Sequence, residues 1–159
     1  EELIFDRVAA QINSQRIRDL EAILEEAEGN RCRPDLGRIL DSFARPYLDP
    51  EYPDGILLAQ LVLKHRLAPT PMTYRLVHRH FDPLAKKYIS AFCAALPDID
   101  RSEIYWRYMY ISSVVILMAT DRREFNRIVS ISEGKADARD YITLRNTLYR
   151  FVIGGLSTQ

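Results

Sequence analysis

The stretch from Asp100 to Thr120, DRSEIYWRYMYISSVVILMAT, decides the fold. It opens with Asp100 and, three positions later, Glu103, a pattern that typically starts a helix because a short side chain accepts the first free backbone N–H groups. After this start the segment is apolar on all sides, which predicts a central helix with packing neighbours on two faces. Arg107 and several tyrosine and serine hydroxyls argue against a membrane span.

Two faces of this predicted helix differ in composition when the residues are projected at about 100° each. One face carries Tyr105, Tyr108, Ser112, Val115, Ile116 and Ala119. The opposite face carries Trp106, Met109, Tyr110, Ser113 and Leu117. Both faces need cover, from this chain or from another.

Composition predicts one domain, residues 1–159. The chain has 159 residues, 47% of them hydrophobic, which is enough for a core without disulfides. Its 22 basic and 22 acidic residues cancel, which disfavours direct nucleic-acid binding. Cys32 and Cys93 lack a C-x-x-C spacing, and the acidic start EELIFDR is unlike a signal peptide. With no run of 18 apolar residues, these features predict a cytoplasmic protein without a membrane segment.

Helical periodicity continues along the rest of the chain, so the predicted fold class is all-α. The further predicted helices are 1–28, 34–48, 55–67, 70–96, a short one at 122–129, and 137–156. Gly29 ends the first of them, and Pro46 bends or ends the second. The helix at 55–67 is apolar nearly all round, which predicts burial in the middle of the domain.

The first helix has one polar feature on its apolar face. Arg16 projects into the middle of that face, and Asn13 lies near its edge. One interpretation is that Arg16 extends its charge to water or pairs with a core carboxylate. The other is that Arg16 or Asn13 is a polar anchor in an apolar ligand cavity.

The helix at 70–96 is interrupted at Asp82-Pro83, where we expect a kink or a restart with Asp82 as the cap. Its buried face is predicted to include Tyr74, His78 and Phe81. The bend either shapes a cavity wall or follows the curvature of the core.

The last helix carries two apolar stripes. The first consists of Tyr141, Leu144, Leu148, Phe151, Val152 and Gly155, and the second of Ile142, Tyr149 and Ile153. For a final helix this is more apolar surface than one core needs. The excess predicts a protein partner, most simply a second copy of the chain.

Catalytic signatures are not apparent. The histidines lack the Glu-x-x-His spacing of a helical metal site, and no activated nucleophile or glycine-rich phosphate loop occurs. We therefore predict no enzyme, no metal and no cofactor. The nine tyrosines can belong to core and interface or line a pocket.

Three segments resemble the C-terminal ligand-binding and dimerisation domain of TetR-family transcriptional regulators. They are EELIFDRVAAQINSQR at the start, HFDPLAKKYISAFCAALPDIDRSEIYWRYMYI in the middle and DYITLRNTLYRFVIGGL at the end. The resemblance implies a multi-helix effector-binding domain that dimerises by packing its last two long helices into a four-helix bundle. It also implies a helix-turn-helix DNA-binding domain, expected upstream of residue 1 and missing from this sequence.

The resemblance also implies a function and a set of sites. The chain would be part of a regulator, a repressor in the simplest case, that senses a small apolar or amphiphilic molecule and contacts DNA only through the missing domain. Ligand binding is assigned to Asn13, Arg16, Phe43, Tyr74, His78, Phe81 and Tyr108. The homodimer interface is assigned to Trp106, Tyr110, Tyr141, Leu144, Leu148, Phe151 and Val152.

Two other classes share these features. A helical scaffold or protein-interaction module would have the same composition and no ligand cavity. A metal-free helical enzyme would need a titratable group in a pocket, and His78 is the candidate.

Overall fold

The computed structural model describes residues 2–121 and 127–158, and the regular structure in these ranges is helical. In chain order the helices are α1 (Glu2–Gly29), α2 (Leu36–Leu48), α3 (Pro53–Leu67), α4 (Pro71–His80), α5 (Asp82–Ala95), α6 (Arg101–Thr120), α7 (Arg127–Ile131) and α8 (Tyr141–Ser157). The all-α prediction is confirmed. Residues 122–126 of the short helix predicted at 122–129 lie outside the described residues.

The core lies between α1 and α6. Helix α6 packs against α2, α3, α5 and α8, while α1 packs against α2, α3, α4 and α5. Large side chains from these helices are fully buried, among them Leu20, Leu40, Leu58, Tyr88 and Ile104. Within the described ranges no helix combines the length and the hydropathy needed to cross a membrane.

The starts of the central helices follow their capping residues. The Asp100 carboxylate accepts the backbone N–H of Ser102 at 2.8 Å, which caps α6 as predicted. A hydrogen bond from the Ser102 hydroxyl, together with this one, lowers the pKa of Asp100. Thr70 and Thr73 form a reciprocal cap at the start of α4. Gly29 ends α1, also as predicted.

Two predicted helices needed correction. The last helix begins at Tyr141 and not at Asp137, because 137–140 forms a turn and Asp140 is the residue whose carboxylate caps the helix, accepting Thr143 N–H at 3.1 Å. Helix α3 is buried on one side only. Leu57 and Leu67 are exposed, so the nearly continuous apolar sequence of α3 exceeds what the core covers.

The predicted interruption at Asp82-Pro83 is a full break. Helix α4 ends at His80, Phe81 is the junction, and α5 begins at Asp82 with Phe81 as its capping position. Asp82 is therefore inside the new helix and is not its cap. Pro83 in the first turn of α5 has no N–H to donate, which is tolerated at a helix start.

Asp41 joins α2 to α8. Its Oδ1 accepts hydrogen bonds from Arg145 Nε at 3.0 Å, Arg145 Nη2 at 2.9 Å and Tyr149 Oη at 3.0 Å. Burial and the adjacent Asp41 carboxylate raise the pKa of Tyr149, so its hydroxyl stays protonated and donates.

Replacing Asp41 with alanine is expected to cost about 2 kcal/mol of unfolding free energy, since three donors lose their acceptor at a partly buried site. The Arg145 side chain is 38% exposed, and solvent screening keeps the loss from being larger. Urea unfolding measures this loss, with Tyr149→Phe as the control that removes one donor and costs about 1 kcal/mol. A loss below about 0.5 kcal/mol for Asp41→Ala would mean that this contact does not hold α8 on α2.

Candidate ligand-binding cavity

A cavity of about 280 Å³ lies between α1, α2, α3, α6 and the junction of α4 with α5. Four residues assigned to ligand binding from the sequence line it: Arg16, Phe43, Phe81 and Tyr108. Each comes from a different part of the chain, so the fold brings together side chains up to 92 positions apart in the sequence. A concave, largely apolar wall with few polar groups is typical of small-molecule sites.

Arg16 is the charged residue of the inner wall. It is 1% exposed, and its guanidinium carbon lies 4.3 Å from the ring centre of Phe43, 5.0 Å from that of Tyr47 and 5.4 Å from that of Tyr88. These distances are those of cation–π contacts. Three aromatic rings thus surround a buried cation.

The hydrogen bonds of Arg16 all come from one end of its guanidinium group. Nη1 donates to Asn13 Oδ1 at 3.1 Å and to Tyr47 Oη at 3.3 Å. Nε and Nη2 are buried and make no hydrogen bond of normal geometry, although the Tyr88 hydroxyl lies close enough to help raise the pKa of Arg16. The first interpretation from the sequence is therefore wrong in both forms, because Arg16 neither reaches water nor pairs with a core carboxylate.

Arg16 remains charged in this setting. Burial lowers the pKa of its guanidinium, the tyrosine hydroxyls around it raise that pKa, and the net direction is upward. Burial has the opposite effect on an acid and raises the pKa of Tyr108 to about 12. The phenol facing the cavity is therefore a neutral hydroxyl at physiological pH.

Asn13 lies behind Arg16 and does not line the cavity. Its side-chain N–H donates to the backbone carbonyl of His80 at 2.9 Å, at the end of α4. The His80 ring in turn contacts the Asp6 carboxylate at 2.7 Å, and this hydrogen bond lowers the pKa of Asp6. A continuous polar path therefore runs from the cavity wall to the first turns of α1.

The prediction that Tyr74 and His78 lie on the buried face of their helix is wrong, and neither side chain lines the cavity. Tyr74 is 66% exposed, and its ring stacks on that of His78 with centres 6.4 Å apart. His78 contacts Asp82 on the surface. The face of α4 that turns inward instead carries Leu76, with Val77 half-buried beside it.

Several cavity residues were not predicted. They are Tyr47, Val62, His65, Arg66, Val77, Asp82, Ala85, Met109, Ser112 and Ile116. Tyr47 was identifiable only as a periodic core position, and His65 as a charge at the end of α3. On the polar side of the cavity, Arg66 is exposed and donates to Ser113 at 3.1 Å, while His65 contacts Thr73 at 2.7 Å.

The residues assigned to a dimer interface divide into two groups. Trp106, Tyr110 and Phe151 are exposed, at 62%, 62% and 73%. Leu144, Leu148 and Val152 are buried in the core of the chain itself, and Tyr141 is half-buried. The stripe of α8 assigned to a partner therefore serves mainly to dock α8 onto its own domain.

An apolar groove separates α6 from α8. It is lined by Tyr110, Val114 and Phe151, and also by Gly154 and Gly155, which have no side chains. Arg107 joins the two helices at one end, donating to the carbonyl of Leu156 and, at 2.7 Å, to that of Thr158. We call this region the α6–α8 groove. Trp106, which precedes the lining residue Arg107 in the sequence, is exposed on α6.

In residues 2–121 and 127–158, no three His, Cys, Asp or Glu side chains lie together as metal ligands would. His65 is the histidine on the cavity wall, and it is not accompanied by a nucleophile in hydrogen-bond contact other than the Thr73 hydroxyl.

Comparison with known proteins matches residues 41–155 to a family model described as the tetracyclin repressor-like C-terminal domain. No curated protein is similar to the chain at a significant level. The matched range runs from α2 into α8 and contains most of the cavity wall and the α6–α8 groove, while α1 with Arg16 precedes it. The resemblance drawn from the sequence is confirmed. The chain belongs to the tetracyclin repressor-like C-terminal domain family, which points to a ligand-binding and dimerisation domain of a regulator.

Proposed function

We propose that the chain is the effector-binding and dimerisation part of a TetR-like transcriptional repressor, and that its effector is a small apolar or amphiphilic molecule bound in the cavity beside Arg16. The observation that carries this proposal is a largely apolar cavity with a single buried cation on its inner wall. An apolar body with one polar end matches such a wall.

The second part of the proposal concerns dimerisation. Apolar side chains beside the α6–α8 groove are left uncovered by the chain, and Tyr110 and Phe151 border the groove from its two sides. A second copy related by a two-fold axis would cover this surface with the same residues. Four helices would then form the bundle that the family resemblance implies.

The signal would pass through α1. Arg16 and Asn13 on α1 are connected to the α4–α5 junction, where Phe81 lines the cavity and its ring lies 6.1 Å from that of Phe5. A ligand that displaces Phe81 or Arg16 would therefore change how α1 packs. In the intact regulator α1 would adjoin the DNA-binding domain, so its tilt would set the spacing of the two DNA-reading helices.

The energy required for this switch is modest. A tenfold change in operator affinity needs about 1.4 kcal/mol of differential binding between two tilts of α1, and near-complete switching needs about 5.5 kcal/mol. A ligand that contacts the cavity wall fully in only one tilt of α1 would supply such a difference in binding free energy.

Filling the cavity tests the effector site. Ala85 lies on the cavity wall, so Ala85→Trp is expected to abolish ligand binding by occupying the space, with Val62→Phe as a second filling variant. The measurement is a thermal-shift series with octanoate, 1-octanol and octylamine. At 100-fold excess over its dissociation constant a ligand stabilises by about 2.7 kcal/mol, so at least one compound should raise the wild-type Tm by several degrees.

The matched control is Ala22→Trp, on the exposed side of α1. It should respond to each compound as the wild type does, while the filled variants respond to none. Equal responses from the filled variants and the control would exclude the cavity as the site. A scaffold module without a ligand would show no response in any of the proteins.

A further inference from the structure

The unpartnered part of Arg16 has a defined shape. In a guanidinium group the N–H bonds of Nε and Nη2 lie on one edge and point in nearly the same direction, spaced to meet the two oxygens of a carboxylate. These are the two nitrogens without a partner, whereas Nη1 is occupied by Asn13 and Tyr47. The free donors of Arg16 are thus one complete binding edge.

The surroundings of this edge lack an anion. The groups that approach the guanidinium are aromatic rings, neutral hydroxyls and the Asn13 amide oxygen, and no ion pair joins Arg16 to any carboxylate among the described residues. A buried, uncompensated cation is costly, and cation–π contacts offset only part of that cost. A chain that keeps this charge beside a cavity has a place for a negative group supplied from outside.

We propose that the effector is an amphiphilic monocarboxylate, whose carboxylate takes the Nε and Nη2 edge of Arg16 while its apolar part occupies the space bounded by Phe43, Tyr108 and Ile116. This inference rests on the proposed function and specifies the ligand of the same cavity. Removal from water strengthens the two charge-assisted hydrogen bonds that this arrangement forms.

A carboxylate fits better than a phosphate. Arg16 offers two free donors in one plane, and the other cation of the cavity, Arg66, is exposed on the polar side and bound to Ser113. A dianionic phosphate would leave most of its oxygens without donors. The cavity volume of about 280 Å³ leaves room for a short chain of carbon atoms. Octanoate, an eight-carbon acid, is therefore a suitable probe.

The test is titration calorimetry of the full chain with octanoate, 1-octanol and octylamine. Octanoate is expected to bind the wild type at least tenfold more tightly than 1-octanol, and octylamine least well. Arg16→Met should weaken octanoate at least 30-fold and leave 1-octanol within threefold. Arg16→Lys keeps the charge without the planar edge and should weaken octanoate about tenfold.

Two controls keep the result interpretable. Arg16→Met also replaces an uncompensated buried charge with an apolar side chain of similar length, so its ligand-free Tm should equal or exceed that of the wild type, which shows that it folds. Arg18→Met removes an exposed cation of the same helix that does not line the cavity, and it should change octanoate affinity less than threefold.

The outcomes separate this inference from the proposed function. If 1-octanol or octylamine binds the wild type as tightly as octanoate and Ala85→Trp abolishes that binding, the effector site stands and the carboxylate assignment is wrong. If octanoate binds equally to the wild type and Arg16→Met, Arg16 is not its partner. If none of the three binds the wild type, both the inference and the cavity's proposed role are overturned.

Discussion

Replacing Gly55 with alanine is expected to lower the free energy of unfolding by more than about 3 kcal/mol, because the added methyl group has no space. A Cβ built on Gly55 would lie 1.8 Å from the carbonyl oxygen of Pro46 and 3.1 Å from the Cα of Tyr47. Both are backbone atoms of α2, so no side-chain rotation relieves the overlap. Helices α2 and α3 would have to move apart.

The close approach has a local cause. The carbonyl of Pro46 would normally accept a hydrogen bond from the residue four positions on, but that residue is Pro50, which has no N–H. The carbonyl is therefore directed at the first turn of α3, where only glycine leaves space for it. Because α2 also carries Phe43 and Tyr47, a shift of α2 would disturb the rings around Arg16.

Chemical denaturation at 25 °C measures this effect. The matched control is Gly29→Ala, since nothing lies within 4 Å of a Cβ at Gly29 and alanine favours helix by up to about 1 kcal/mol. The control should be neutral or stabilising. If Gly55→Ala lost less than about 1 kcal/mol, the tight packing of α2 on α3 would be contradicted.

The second large effect concerns the proposed dimer. The double variant Tyr110→Asp, Phe151→Asp should weaken self-association at least 1,000-fold, equivalent to about 4 kcal/mol. A two-fold interface would contain each substitution twice, so four apolar side chains are lost at about 1.5 kcal/mol or more each, and four like charges approach one another. Both positions are exposed within one chain, so the fold should be retained.

Two readouts apply to this variant. Sedimentation velocity reports the mass of the species in solution. Trp106 is the single tryptophan and is 62% exposed in one chain, so its fluorescence emission reports whether a partner covers this face of α6. Leu67→Asp, at the exposed end of α3, is the control for adding charge to an exposed leucine. A double variant that stays dimeric while Leu67→Asp dissociates would contradict the α6–α8 groove as the interface.

Helices and their caps were accessible from the sequence because they depend on neighbours in the chain. The start of α6 at Asp100 and the end of α1 at Gly29 each follow from one or two residues. The late start of α8 shows the limit of this reasoning. Asp137 and Asp140 are equivalent candidates as caps, and a turn formed by backbone hydrogen bonds decides between them.

The incorrect burial of Tyr74 and His78 has a single origin. The spacing of buried residues in α5, including Leu84 and Tyr88, was extended backward through Phe81 as though the helix were continuous. A break at Phe81 rotates α4 relative to α5, so the inner face of α4 is displaced around its axis to Leu76. The sequence predicts the position of the break, but it does not predict how α4 is rotated relative to α5.

Arg16 was recognised as anomalous from one helix alone, because a charge in the middle of an apolar stripe is unusual. Its partners were not, since Phe43, Tyr47 and Tyr88 come from α2 and α5 and each also fits a core position of its own helix. The same limit applies to α8. Its two stripes were visible, but which of them packs on α2 depends on Asp41 and the orientation of α8.

The two predicted faces of α6 differ in exposure. Trp106, Tyr110 and Leu117 are exposed and Ser112 and Ile116 are buried, which follows the predicted division into two faces. Tyr105 is the exception, being 49% exposed although it was assigned to the face of Tyr108. Its ring and hydroxyl contact Arg101 on the surface, whereas the adjacent Ile104 points into the core.

Hydrogen–deuterium exchange read by mass spectrometry tests whether the effector and the partner chain occupy separate sites on opposite sides of α6. The chain is measured at high and low concentration, and with octanoate or 1-octanol added. Dilution should increase exchange in residues 141–156 of α8, whereas a bound amphiphile should protect residues 12–20 of α1 and 76–85 around the α4–α5 junction. Protection of 141–156 by the amphiphile, with none at 12–20, would instead place the ligand in the α6–α8 groove and rule out the cavity beside Arg16.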